Sequence, residues 1–183
     1  MKSSGQHEPT GNVGVDEFLA GGFSEGKPGR GPGSKNLVVL AIEKVVDKKG
    51  KETLGRAYCR TVDDASADSL RKIFDEHIAL QASVKTDGWR GYWPLAKDWG
   101  ITKEKSNNGA GFPLLHAHIM NIKSWLRGIH HQCETHRLQN YLDEYHFRFN
   151  RRGFLNSIFD KPIIKMTIAD PITYKMIKRE LNT

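Results

Sequence analysis

The stretch ASVKTDGWRGY, Ala82–Tyr92, decides how the chain is read. A short run with apolar alternation ends on a lone carboxylate, Asp87, and passes at once into Gly88 and Trp89. A strand that is buried in a sheet does not end on an isolated charge without a partner or a metal, because burying an unpaired carboxylate is costly. The partner has to come from elsewhere in the chain.

Upstream, VGVDEFLA offers Val13, Val15 and Phe18 as a short strand that carries Asp16. NLVVLAIEKVV, Asn36–Val46, is too apolar for an exposed strand, and TLGRAYCRTV, Thr53–Val62, follows after the turn DKKGK. Three strands with such links predict an antiparallel meander. The period then changes. Asp64 or Ser66 serves as N-cap for a helix with Leu70, Ile73, Phe74 and Ile78 at helical spacing. The opening stretch is strand four, followed by a short helix near Trp89–Trp99 and a fifth strand at ITKEK. Two amphipathic helices come next, one with a stripe of Leu115, Ile119, Ile122 and Leu126, the other with Leu138, Tyr141, Leu142, Tyr145 and Phe149. The order β-β-β-α-β-α-β-α predicts an α/β domain with a mixed five-stranded sheet flanked by helices. In such a sheet strands one and four can lie side by side, which would bring Asp16 and Asp87 together although they stand 71 positions apart.

Composition bounds the remaining choices. The chain has 183 residues, enough for one domain, and no apolar run approaches the roughly 18–20 residues that span a bilayer. Cys59 and Cys133 have no CxxC spacing, which argues for reduced thiols in a cytoplasmic protein. The formal charge is +7, which suits a polyanionic partner. Residues 1–35 hold nine of the 18 glycines and three of the seven prolines; residues 1–12 read as disordered and 21–35 as a mobile basic loop carrying Lys27, Arg30 and Lys35. The histidines His116, His130, His131 and His136 lack the spacing of a zinc site.

The stretches VDEFLAGG, GRGPGSKNLVVLAIE, VKTDGWRGY, HAHIMNIKSWLRGIHH and LQNYLDEYHFRFNRR, in this order between Val13 and Arg152, resemble the catalytic domain of a bacterial insertion-sequence transposase family. The resemblance implies an RNase H-like core over 13–160, with 161–183 as a helical tail. It implies Mg²⁺, with Mn²⁺ as an alternative, held by Asp16, Asp87 and, at the third position, Asn121. It further implies DNA as partner (transposon ends and target), a homo-oligomer when active, no membrane, and association with the nucleoid when DNA is bound. The third position stays open between Asn121, 34 positions after Asp87, and Glu144. On a helical wheel His118 lies about 60° from Asn121 and joins the candidate catalytic residues, whereas Lys123, about 200° away, faces DNA or solvent. Lys123, Arg148, Arg151 and Arg152 are candidate phosphate contacts; for the last three, charges that favour a helix C-terminus are the competing reading. Glu17 is expected on the opposite face of its strand from Asp16, as a surface carboxylate.

Two features depart from the family. The core starts after only twelve residues, without the usual end-reading region, and Phe18-Leu19 replaces a polar-aromatic pair. A nuclease or resolvase on the same core is therefore one rival expectation. A truncated, non-catalytic remnant or DNA-binding inhibitor is the other.

Overall fold

The computed structural model describes residues 7–21, 35–104, 111–130, 133, 135–154, 156, 158–174 and 176. Its strands are β1 (Asn12–Ala20), β2 (Asn36–Val46), β3 (Glu52–Val62), β4 (Ser83–Thr86) and β5 (Gly100–Lys103). Its helices are α1 (Ala67–His77), α2 (Pro113–Ile129), α3 (Leu138–Phe149) and α4 (Asp160–Ile168). The five strands form one sheet in the order β3-β2-β1-β4-β5. The first three are an antiparallel meander, and β4 and β5 run parallel to β1. The mixed sheet is the one expected.

Local chemistry explains the joints. The β2–β3 turn closes because Asp47 Oδ1 accepts from Lys49 N and Lys51 N at 2.8 and 3.0 Å, and Gly50 takes φ +77°, a conformation that glycine enters without steric cost. Ser66 caps α1 by accepting from Ser69 N, and Asp64 in turn accepts from Ser66 N. Between β4 and β5 the expected short helix is two 3₁₀ turns, Arg90–Tyr92 and Pro94–Lys97, the second starting at Pro94, which has no N–H to continue the first.

Alternation along β1 and β2 sends side chains into two cores, one on each face of the sheet. Val13, Val15, Val39 and Ala41 meet Leu70, Ile73 and Phe74 of α1, together with Tyr92, Leu95 and Trp99. Phe18, Ala20, Leu40 and Ile42 meet Leu115, Ile119, Ile122 and Leu126 of α2 and Leu138 and Leu142 of α3. The result is a three-layer sandwich. Gly14 lets α2 lie close on β1: a Cβ there would stand 3.0 Å from Leu115 Cδ1.

The sheet's outer strand β3 is closed by α3 through side-chain amides. Asn150 Oδ1 accepts from Ala57 N at 2.8 Å while its Nδ2 donates to Ala57 O at 2.9 Å. Gln139 Oε1 accepts from Thr61 N at 2.8 Å and its Nε2 donates to Cys59 O at 3.0 Å. An open strand edge invites pairing with other chains, and these two amides occupy four of its backbone donors and acceptors. Phe159, Ile163, Ile164, Met166 and Ile168 of the α4 region stay exposed. Among the described residues no helix is long and apolar enough to cross a membrane.

Candidate active site

Parallel pairing of β1 with β4 sets Gly14 against Lys85. Two residues further on, the same register sets Asp16 against Asp87, just past the end of β4. Asp16 Oδ1 accepts from Glu17 N at 2.9 Å. Asp87 Oδ1 accepts from Trp89 N at 2.9 Å, closing a turn in which Gly88 takes φ +90°. The expected meeting of the two aspartates is present: one oxygen from each of Asp16, Glu17 and Asp87 lies within 4.8 Å of the others.

Glu17 is the unexpected member. Strand alternation does turn it toward Tyr92, part of the α1-side core, but its carboxylate is partly buried rather than a surface group. The β1–β4 pairing covers only Asn12–Gly14, so beyond it the flank of β1 is open and side chains from either face reach the same point. Burial pushes the Glu17 pKa up to about 7; the Tyr92 hydroxyl opposes this, while the charges of Asp87 and Asp16 add to it. Tyr92 Oη and Glu17 Oε1 are nevertheless both buried without a hydrogen bond of full geometry. Burial also raises the Asp16 pKa, against the Glu17 amide and His116, with Asp87 adding to the rise.

His116 completes the surroundings. It sits on the first turn of α2, which Gly14 draws onto β1, and its Nε2 is 3.5 Å from Asp16 Oδ2. That is ion-pair distance, although the nitrogen makes no hydrogen bond. Sequence reasoning weighed His116 only as a zinc ligand. The missed signal was Gly14, whose lack of a side chain fixes which helix residue meets Asp16.

The other helix candidates lie elsewhere. His118 stands two residues after His116, about 200° around the helix, and is therefore turned from the acids. It is buried against α3, with Nε2 3.3 Å from His146 Nε2 and its ring against Tyr145 and Phe149. Asn121 is exposed and about 140° around the helix from His116. Glu144 pairs with Arg148 on α3, outside the acidic group.

Of the candidate phosphate contacts, Lys27 and Arg30 lie outside the described residues. Lys123 falls two turns after His116, on nearly the same side of α2, with Nζ 5.4 Å from the Phe18 ring centre. Burial, and then the charges of Lys35 and Arg127, lower its pKa; these three cations form one basic stripe. The cations at the end of α3 have structural partners. Arg151 donates to Phe147 O at 3.2 Å, and Arg152 donates to Phe149 O at 2.9 Å, Gly55 O at 3.2 Å and Leu54 O.

A mixed sheet with three antiparallel strands followed by two parallel ones, layered between helices, with carboxylates at the meeting point of its first and fourth strands, defines an RNase H-like domain of the transposase class. A sequence model of the ISXO2-like transposase domain matches residues 10–150, and the chain belongs to that family. No curated protein and no solved structure matches it.

Proposed function

We propose that this chain is the catalytic domain of a transposase that cuts a phosphodiester at an insertion-sequence end and then joins the freed 3′ hydroxyl to target DNA. The observation that carries the reading is the convergence of Asp16 and Asp87 from positions 71 apart onto one point where β4 ends beside the central strand β1. The donor set fits a hard divalent cation such as Mg²⁺ or Mn²⁺, because it consists of carboxylate oxygens and includes the buried, unpaired Glu17 Oε1. Asp16 and Asp87 would hold the cation, with Glu17 within reach. When bound, it would polarise the phosphate and activate the attacking oxygen. From the α2 side it is His116, rather than His118 or Asn121, whose side chain faces Asp16, at ion-pair distance. The stripe of Lys35, Lys123 and Arg127 gives the DNA backbone a landing surface. The enzyme would work in the cytoplasm as a homo-oligomer that holds two ends at once.

The test uses a duplex carrying the terminal repeats that flank the gene, incubated with the full chain and Mg²⁺. Cut and joined products are expected from the wild type, and neither from Asp87→Asn, whose fold stays intact because like-charge repulsion is relieved. Hydrolysis without joining would replace the transposase reading by a nuclease. Cleavage that survives Asp87→Asn would remove the site altogether.

A further inference from the structure

Two indoles next to Asp87 are exposed where most tryptophans are not. Trp89 and Trp93 each leave 51% of their surface to solvent, whereas Trp99 is buried at 4%. Trp89 is not loose. Its backbone N–H is bound by Asp87, and its indole Nε1 donates to Ala65 O at 2.9 Å. Behind it, Gly91 has no room for a side chain: a Cβ would collide with Ala65 O and stand 2.8 Å from Trp89 Nε1 and 2.9 Å from Leu70 Cδ1. The ring is therefore seated from behind while half of it faces water. Beside it, Lys103 runs its stem over Gly88, 3.5 Å from where a Cβ would lie, and brings Nζ within 4.2 Å of the Trp93 ring centre. Arg90 lies 5.8 Å from the same ring.

A rigid, solvent-facing indole costs nothing further to order on binding, and aromatic faces with adjacent cations match a nucleotide: the base stacks and the phosphate meets the cation. A base inside a duplex has both faces covered by its neighbours, so only an unpaired or extruded base can use such a surface. We propose that Trp89, with Trp93, Lys103 and Arg90 beside it, is a stacking site for an unpaired nucleotide next to the scissile phosphate. The proposal rests on the reading of Asp16 and Asp87 as the cleavage centre for its placement, and explains why the turn after Asp87 is built from Gly88, Trp89 and Gly91.

The experiment measures binding of the full chain, in EDTA so that no cleavage intervenes, to labelled oligo-dT and to a relaxed, covalently closed circular duplex, which has no unpaired base. Trp89→Ala is expected to weaken oligo-dT binding by about 5- to 150-fold, the range for stacking one base on one aromatic side chain, and to leave the closed duplex unaffected. Trp89→Phe, which keeps a flat ring and guards against misfolding, should recover most of the affinity. Unchanged oligo-dT affinity in Trp89→Ala would overturn the proposal, and so would an equal loss for both DNAs with normal thermal unfolding. The two readings fail separately. Cleavage that survives Asp87→Asn removes the catalytic centre, while the oligo-dT comparison still decides the stacking site.

Discussion

Between pH 6.5 and pH 5 the buried pair His118–His146 should take stability away from this protein, and replacing His118 should return about half of it. His146 Nδ1 is 2.8 Å from Leu142 O, and a carbonyl only accepts, so that nitrogen carries the proton. Neutral His146 then has a bare Nε2, which accepts from His118 Nε2–H at 3.3 Å. A further proton on His146 would set two donors against each other. Burial accordingly lowers His118 from 6.5 to about 3, with His146 and then Arg152 adding to it, and lowers His146 to about 4. Both imidazoles titrate near 6.5 when unfolded. Below that pH the unfolded chain binds protons that the folded one refuses, so their contribution is intact above 6.5 and is lost as pH falls toward 3–4. At pH 5 the loss is about 2 kcal/mol for each histidine, from ~1.4 kcal/mol per pH unit. Glu17 works in the opposite sense. Its folded pKa is raised to about 7, so below that pH the folded state gains a proton the unfolded state lacks, offsetting about 3 kcal/mol by pH 5. The wild-type curve alone is therefore shallow, and the informative quantity is the difference between wild type and His118→Leu. Urea unfolding in EDTA at pH 7.5, 6.5, 5.5 and 5.0, followed by circular dichroism, should show that difference moving by about 2 kcal/mol in favour of the variant. A difference constant with pH would refute the buried neutral pair.

Three further outcomes follow from particular contacts. His116→Ala should lower Mg²⁺-dependent cleavage at least about tenfold while Asn121→Ala stays near wild type, because only His116 approaches Asp16; the reverse result would restore Asn121 as the third residue. Asn150→Ala should cost about 2–4 kcal/mol in denaturant unfolding, since it leaves the N–H and C=O of Ala57 without their partner; a loss under about 1 kcal/mol would mean that the β3 edge does not depend on it. DNA affinity should fall steeply with salt, and Lys123→Ala should reduce the slope of log K against log salt by about one. An unchanged slope would place the phosphates away from the α2 stripe.

How much of this was legible beforehand depended on whether the signal was local. The strands, the change of period at Ser66 and the two amphipathic helices are written in alternation and caps, and the sheet order followed from them closely enough to pair Asp16 with Asp87. The role of FNRR at the end of α3 was not legible. A basic helix end reads equally as a dipole partner or a phosphate contact, and only the placement of α3 along β3 shows Asn150 and Arg152 bound to strand backbone.

The third position failed to yield to sequence reasoning for a geometric reason. His116, His118 and Asn121 lie within six residues on one helix, and any of them can face the acids if the helix is rotated about its axis. Sequence periodicity sets only the buried stripe, and Leu115, Ile119, Ile122 and Leu126 leave room on both of its sides. What selects the rotation is a residue on another element. Gly14, two positions before Asp16 on β1, takes Leu115 into the space where its own side chain would stand, and the next residue, His116, arrives at Asp16. His118 is then carried about 200° around, where Tyr145, His146 and Phe149 of α3 enclose it. Gly14→Ala is the direct probe of this coupling. The added methyl would stand 3.0 Å from Leu115 Cδ1, so the leucine must give by a few tenths of an ångström, and if α2 moves with it the expected outcome is a loss of Mg²⁺-dependent cleavage larger than the accompanying loss of stability. Equal effects on both would show that α2 sits on β1 without fixing the site.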